Sequence, residues 1–256
     1  MKRTTVVIII VSLVLACLSC QPKERGMAID FTNAAGQNIT FTNTVGALSV
    51  KSIAFWINLD SFGDTAVQGS MITRSDSTKW EVRIATGTER IIFVNGFSTT
   101  AGSWATPNNS LTTGLHHITV IYDAGNVANN PTIYIDGVSQ SLTELTTPVG
   151  TFTSDANIEL VIGGYGSTKS LDGRVHKLIV YSDALSLAEV LSIVNSRGKV
   201  YPRDSIAFMP NLRGAAGLST FSGALAAGNT IYDPFSNTYG VPTGSPVAVA
   251  DNVLGW

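Results

Sequence analysis

The stretch LHHITVIYD (residues 115–123), followed by IYIDG (residues 133–137), decides the fold of this chain. Apolar and β-branched residues alternate or run together in both pieces, as they do in half-buried β-strands. Asp136-Gly137 is typical of a tight turn, because such turns need residues that tolerate positive φ. The two pieces therefore predict two strands with a tight turn after the second.

Two later pieces continue the pattern, IGGY (residues 162–165) and LDGRVHKLIVYSDALSLAE (residues 171–189). Residues 178–181 read as a strand. Ser186 precedes Glu189 by three positions, which is the spacing of a helix capping box. We therefore expect a helix from residue 187 to about 196, ended by Gly198. Its predicted buried stripe consists of Leu187, Val190, Leu191 and Val194.

The order of these motifs resembles the LamG-like domain of the concanavalin A-like lectin/glucanase family. That family has a histidine pair, a hairpin ending in Asp-Gly, an Ile-Gly strand, an Asp-Gly-Arg strand and a short helix. The corresponding positions here are His116-His117, Tyr134–Gly137, Ile162-Gly163, Leu171–Val175 and Ala184–Glu189. Entry strands at Ala28–Phe31 and Ser52–Ile57 extend the resemblance to residues 28–197.

Two positions depart from the family pattern. Leu115 stands where the family usually has tryptophan, and His176-Lys177 replaces an acidic pair. The second change removes carboxylates that would otherwise be candidates for metal ligands.

The resemblance and the recurrence of short strands with turn residues between them predict an all-β fold. We expect an antiparallel jelly-roll β-sandwich with one short helix toward its C-terminal side. The predicted division is a signal peptide (1–20), a tether (21–27), the jelly roll (28–198) and a C-terminal wrap packed on it (199–256). Aromatic residues in the last segment argue against a solvated tail.

The N-terminus indicates export. Lys2 and Arg3 precede an apolar run that is short for a membrane span. Ala16-Cys17 resembles a bacterial lipobox, so Cys17 is the predicted lipid attachment site, with Cys20 as the second choice. We expect a cell-envelope protein attached to the membrane through this lipid alone. An ordinary signal peptide, an uncleaved anchor and a start at Met27 remain open.

Composition and motifs limit the classes of activity that we expect of this chain. The formal net charge is −2, which gives no electrostatic basis for nucleic-acid binding. The glucanase branch of the family carries its carboxylates on one strand as Glu-x-Asp-x-x-Glu, and the chain lacks this motif. His116 and His117 are adjacent on a strand, so they point to opposite faces and cannot share one metal ion. We expect no catalytic activity.

Candidate ligand contacts are loop residues. Trp104, Tyr165 and Trp80 are interpreted as loop or strand-end aromatics able to stack on sugars. Many members of the family that the chain resembles bind calcium, so calcium is an optional cofactor, and the loop acids available for it are Asp76, Asp123 and Asp155. The alternative is that these isolated aspartates only form turns.

These features together predict a non-catalytic module that binds a glycan or a surface glycoprotein. One alternative is a structural or adhesin protein of a phage or virion. The other is a glycoside hydrolase-like enzyme, which the missing motif disfavours.

Overall fold

The computed structural model describes most of the chain between residues 26 and 251. The described ranges are 26–32, 37–42, 46–62, 69–74, 79–164, 171–210, 223–224, 231–233, 238–243 and 247–251. Cys17, Cys20 and the predicted signal peptide lie outside these ranges.

Eighteen strands and one helix make up the described secondary structure. The strands of the N-terminal half are β1 (Gly26–Phe31), β2 (Asn38–Phe41), β3 (Val50–Leu59), β4 (Gly69–Arg74), β5 (Trp80–Ala85), β6 (Arg90–Asn95), β7 (Gly102–Ala105) and β8 (Gly114–Asp123). Those that follow are β9 (Thr132–Ile135), β10 (Val138–Ser139), β11 (Thr143–Thr146), β12 (Leu160–Gly163), β13 (Gly173–Tyr181), β14 (Ile206–Phe208), β15 (Gly223–Ala224), β16 (Ile231–Asp233), β17 (Thr238–Thr243) and β18 (Val247–Asp251). Helix α1 spans Leu187–Asn195.

The strands form two antiparallel sheets. The first sheet has the order β10-β9-β8-β3-β13-β1-β18-β15, with β14 also paired to β13. The second has the order β11-β7-β6-β5-β4-β12-β2-β17-β16. Their inner faces share one apolar core. The predicted all-β jelly-roll sandwich with one short helix is confirmed.

The centre of the first sheet is the pairing of β3 with β8. Their ten residues pair along the whole length, from Val50 opposite Asp123 to Leu59 opposite Gly114. Phe55 and Ile57 face the core between the sheets, and the alternate residues face the opposite side. Ala54 and Trp56, on that opposite side, are buried as well. This sheet is therefore covered on both faces.

The turn predicted from Asp136-Gly137 joins β9 to β10. Asp136 has φ 53° and Gly137 has φ 81°, the two positive values that a type I′ turn requires. The Asp136 carboxylate accepts a hydrogen bond from the backbone N–H of His117 at 2.7 Å. The turn is therefore fixed to the neighbouring strand β8 by its own aspartate.

Helix α1 covers part of the outer face of the first sheet. Ser186 and Glu189 form the predicted capping box, and Gly198 follows the helix with φ 74°. The buried side chains are Val190 and Ile193, which pack with Ala54, Ile179 and Tyr181. The predicted stripe is wrong at Leu187 and Leu191, which are exposed because the helix is rotated so that Ile193 points at the sheet.

The segment after residue 198 contributes strands to both sheets. β14 pairs with β13 and β18 pairs with β1 in the first sheet, while β17 pairs with β2 in the second. The boundary between jelly roll and wrap remains a prediction. In the part of the chain that the structure describes, no helix is long and apolar enough to cross a membrane.

The two neighbouring histidines have different environments, as the alternation of a strand requires. His116 is partly exposed, and its Nδ1 lies 2.7 Å from Oδ2 of Asp136. His117 is fully buried on the outer face of the first sheet, with its ring 4.9 Å from that of Trp56. Burial lowers the pKa of His117 to about 4, although the nearby Asp136 carboxylate opposes this shift.

The contacts of α1 predict which truncation destabilises the fold. Ile193→Ala should lower the free energy of unfolding by about 2–5 kcal/mol, because it leaves a cavity under the helix. Leu191→Ala is the control and should cost less than half as much, since Leu191 is 37% exposed. Equal losses for the two variants in chemical denaturation would show that the helix is docked differently.

His117 predicts a loss of stability in mild acid. The pKa in the unfolded chain is about 6.5, while that in the folded chain is about 4. The stabilisation is complete above pH 6.5, and it declines as the pH falls toward 4, by about 3 kcal/mol in total. Denaturation of wild type and His117→Gln across this range measures the effect. An identical pH dependence in both proteins would contradict it.

Candidate ligand-binding site

A cavity of about 260 Å³ opens where the edges of the two sheets meet. Strands β9 and β10 end the first sheet, and β7 and β11 end the second. The cavity therefore lies between an edge of each sheet, at one side of the sandwich. Its lining consists of Trp104, Asn130, Pro131, Thr132, Ser139, Gln140, Leu142 and Glu144.

Trp104 forms the inner wall of this cavity. Its side chain belongs to the core and is 1% exposed, in contact with the rings of Phe93 and Tyr122. Its indole Nε1 donates a hydrogen bond of 2.8 Å to Oδ1 of Asn130, across the gap between the sheets. This bond satisfies the one polar atom of the indole and fixes the Asn130 side chain at the cavity.

Glu144 lies opposite Trp104 in the pairing of β11 with β7. Directly opposed residues of an antiparallel pair project to the same side of the sheet, so the Glu144 carboxylate lies near the indole. Glu144 is exposed and accepts a hydrogen bond from the hydroxyl of Thr147. A carboxylate at the mouth of a cavity can accept hydrogen bonds from a ligand that carries hydroxyl groups.

The opposite side of the cavity carries neutral polar groups. The Gln140 backbone donates to the carbonyl of Ile133 at 2.9 Å, and its side-chain Nε2 donates to the carbonyl of Val138 at 3.0 Å. These bonds hold the Gln140 amide on the β9–β10 hairpin, beside Ser139 and Thr132. Amides and hydroxyls both donate and accept, which is the capacity that recognition of sugar hydroxyls requires.

The aromatic residues predicted to be exposed occupy other environments. Trp80 is fully buried, and its Nε1 donates to Oδ2 of Asp155 at 3.0 Å. The prediction that Trp80 and Trp104 are exposed aromatics is wrong, because each lies on a short strand and points into the core. Trp104 nevertheless borders the cavity. Tyr165 lies outside the described residues.

The loop acids proposed as calcium ligands are not brought together. Asp123 is exposed and accepts a hydrogen bond from the N–H of Gly125 at 2.8 Å, as a turn-forming aspartate does. Asp155 is buried, and both of its oxygens accept hydrogen bonds, from Leu48 N–H and from Trp80. Asp76 lies outside the described residues. Within the described ranges, no three His, Cys, Asp or Glu side chains are grouped as metal ligands would be.

Sequence reasoning missed Asn130, Gln140 and Glu144. In the sequence Asn130 lies in an Asn-Asn-Pro stretch typical of a turn, and Glu144 is one of six scattered glutamates. The available signal was the proximity of both to a hairpin: the turn leads into β9, and Glu144 follows β10 by a few residues. Their position beside Trp104 depends on the pairing of β11 with β7. No local sequence pattern predicts that pairing.

Comparisons with known proteins agree with this architecture. The sequence model described as the concanavalin A-like lectin/glucanases superfamily matches residues 33–191. No curated protein matches the chain. A candidate carbohydrate-binding protein of Bacteroides ovatus superposes with a TM-score of 0.61 at 16% identity, covering 91% of this chain and 62% of that protein.

A second solved structure is similar over nearly its whole length. The heptameric SAP-like pentraxin of Limulus polyphemus superposes with a TM-score of 0.55 at 13% identity, covering 87% of this chain and 97% of that one. At such identities the two likenesses concern the fold alone. Because the family match extends over more than half of the sequence and the structure has the corresponding sandwich, the chain belongs to the concanavalin A-like lectin/glucanase superfamily.

Proposed function

We propose that this protein is a non-catalytic glycan-binding module, and that the cavity between β7, β9, β10 and β11 is its binding site. One observation carries the proposal: a single cavity brings together an indole, a carboxylate and two side-chain amides. Sugars offer hydroxyl groups in several directions together with small apolar patches. The lining of the cavity matches both features.

The size of the cavity suits a small part of a glycan. Its volume of about 260 Å³ is just below the roughly 300–1,000 Å³ of pockets that enclose drug-sized ligands. A terminal sugar residue would fill it, with the rest of the chain extending into solvent past Glu144. The module would then recognise glycan ends.

The cavity supports binding more than hydrolysis. Glycosidases of the usual type place two carboxylates about 5–10 Å apart on either side of the scissile bond. Glu144 is the one carboxylate among the residues that line this cavity. Glu81, which is buried, lies on β5 outside the lining and is paired with Arg83 at 3.4 Å. The carbohydrate-binding description of the Bacteroides ovatus protein points the same way.

The proposed setting is the cell envelope. The basic start, the apolar run and Ala16-Cys17 support export and lipid attachment at Cys17. A lipid anchor followed by the short segment 21–27 would hold the module close to a membrane surface, where glycans and glycoproteins are available. Calcium remains part of the proposal as an optional ligand, and it is tested together with binding.

Glu144→Gln should weaken glycan binding about tenfold or more, because a hydrogen bond to a charged group contributes about 1.5–3 kcal/mol. Glu144 is exposed, so its removal should leave the unfolding transition unchanged. Glu159→Gln, an exposed glutamate that does not line the cavity, is the matched control. The measurement is a glycan array probed with the full chain, with and without calcium, followed by titration of the best glycan.

Three results would contradict the proposal. Equal binding by Glu144→Gln and Glu159→Gln would place the site elsewhere. Release of reducing ends from glycans by the purified protein would show catalysis. No affinity for any glycan, together with assembly into virion-like particles, would favour the structural alternative.

Lipid attachment predicts that labelling with a palmitate analogue in bacteria is lost in Cys17→Ser and retained in Cys20→Ser. Loss only in Cys20→Ser would move the site to that cysteine. Labelling that survives the double substitution would contradict the lipoprotein proposal.

A further inference from the structure

A lysine and an asparagine meet inside the apolar core at one end of the sandwich. Lys51, on β3 of the first sheet, is fully buried, and Asn95, on β6 of the second sheet, is 1% exposed. The Lys51 Nζ lies 2.8 Å from Oδ1 of Asn95. Lysine is rarely buried completely, so its placement between two sheets requires a specific partner.

Aromatic rings surround the amine. Nζ of Lys51 lies 5.6 Å from the ring centre of Tyr122 and 5.7 Å from that of Phe152. Tyr122 in turn contacts Phe93 and Trp104. The rings keep water away from the pair, and the Asn95 amide is held by a bond of 3.1 Å from its Nδ2 to the carbonyl of Gly96.

A buried carboxyl group belongs to the same end of the core. Asp155 is 1% exposed and accepts from the N–H of Leu48, which leads into β3. It also accepts from the indole of Trp80, which lies opposite Asn95 in the pairing of β5 with β6. Asp155 therefore binds both Leu48, three residues before Lys51, and Trp80, the residue that pairs with Asn95.

We propose that Lys51 and Asn95 form an intramolecular isopeptide bond, with Asp155 as the proton-transfer group. The chain places a nucleophilic amine 2.8 Å from a carboxamide in a buried core, and Asp155 is bonded to residues that neighbour both.

The reaction needs no outside reagent. In the proposed step the Asp155 carboxylate accepts one proton from the Lys51 ammonium, which leaves a nucleophilic amine. Rotation of the Asn95 amide about Cβ–Cγ turns Oδ1 away from Nζ and opens the face of the carbonyl carbon to attack. The Nζ–Cγ bond then forms and the Cγ–Nδ2 bond breaks. Asp155 passes its proton to the leaving nitrogen and recovers one from Nζ, and the products are a secondary amide and one ammonia.

The bond would join the two sheets covalently. The linked residues lie 44 positions apart in sequence and on opposite layers of the sandwich. Both cysteines of the chain are at positions 17 and 20, so a disulfide between the sheets is not available. An isopeptide bond would give an exported protein the same constraint on its unfolded state.

Peptide mapping of the full chain after denaturation and trypsin digestion tests the proposal. Because the modified Lys51 resists trypsin, the expected product is one branched peptide joining residues 26–74 to residues 91–169, lighter than their sum by one ammonia. Fragmentation should locate the branch at Lys51 and Asn95. Lys51→Met, which keeps the length of the side chain, should give the two peptides separately.

The mass of the intact protein does not distinguish an isopeptide bond from a succinimide, because Asn95-Gly96 can also lose ammonia by forming a succinimide. A succinimide leaves the two peptides unlinked, so unlinked peptides in the folded wild-type protein overturn the proposal whatever their mass. Asp155→Asn should also give unlinked peptides. A branched peptide in folded Asp155→Asn would overturn the role of Asp155.

Discussion

Burial of both faces of the first sheet is the constraint on which the other features of this protein depend. The inner face of β3 and β8 packs against the second sheet, and the outer face is covered in part by α1 and the segment after it. A slip of one residue in the pairing of these strands would exchange the two faces. It would put His117 and Trp56 into the apolar core and move Phe55 outward, so the register is strongly specified.

This double burial also explains the limits of the sequence patterns. Strand β3 reads as an apolar run because both of its faces are buried, and β8 was identified in the same way. The helix was located by its capping box, which is a local signal. The face that docks was predicted less well. Val190 is three residues from Leu187 and three from Ile193, so helical spacing fits an apolar stripe on either side of it. Only the shape of the sheet beneath decides which of two adjacent apolar faces docks.

The residues of the candidate site were harder to predict, because contacts between distant parts of the chain decide their environment. Trp104 lies between turn residues in the sequence, and such a tryptophan resembles an exposed loop residue. In the structure, β7 is a short strand next to the edge of the second sheet, and its alternation directs Trp104 inward. The polar partners Asn130 and Glu144 reach it from different elements, one from each sheet. The sheet topology creates contacts of this kind, so no regular residue spacing in the sequence predicts them.

The aromatic cluster inside the edge of the sandwich connects the two polar regions of the interior. Tyr122 packs against Trp104, which walls the cavity, and its ring also lies over the Lys51 amine. Rings in such a cluster are held by close packing on all sides, so they form a rigid partition. On one side of it the bond from the indole to Asn130 fixes the Asn130 side chain at the cavity. On the other side the Lys51–Asn95 contact holds the two sheets together. A cavity whose walls come from both sheets keeps its shape only while the sheets keep their separation. The buried polar contact therefore stabilises the geometry that the proposed binding requires.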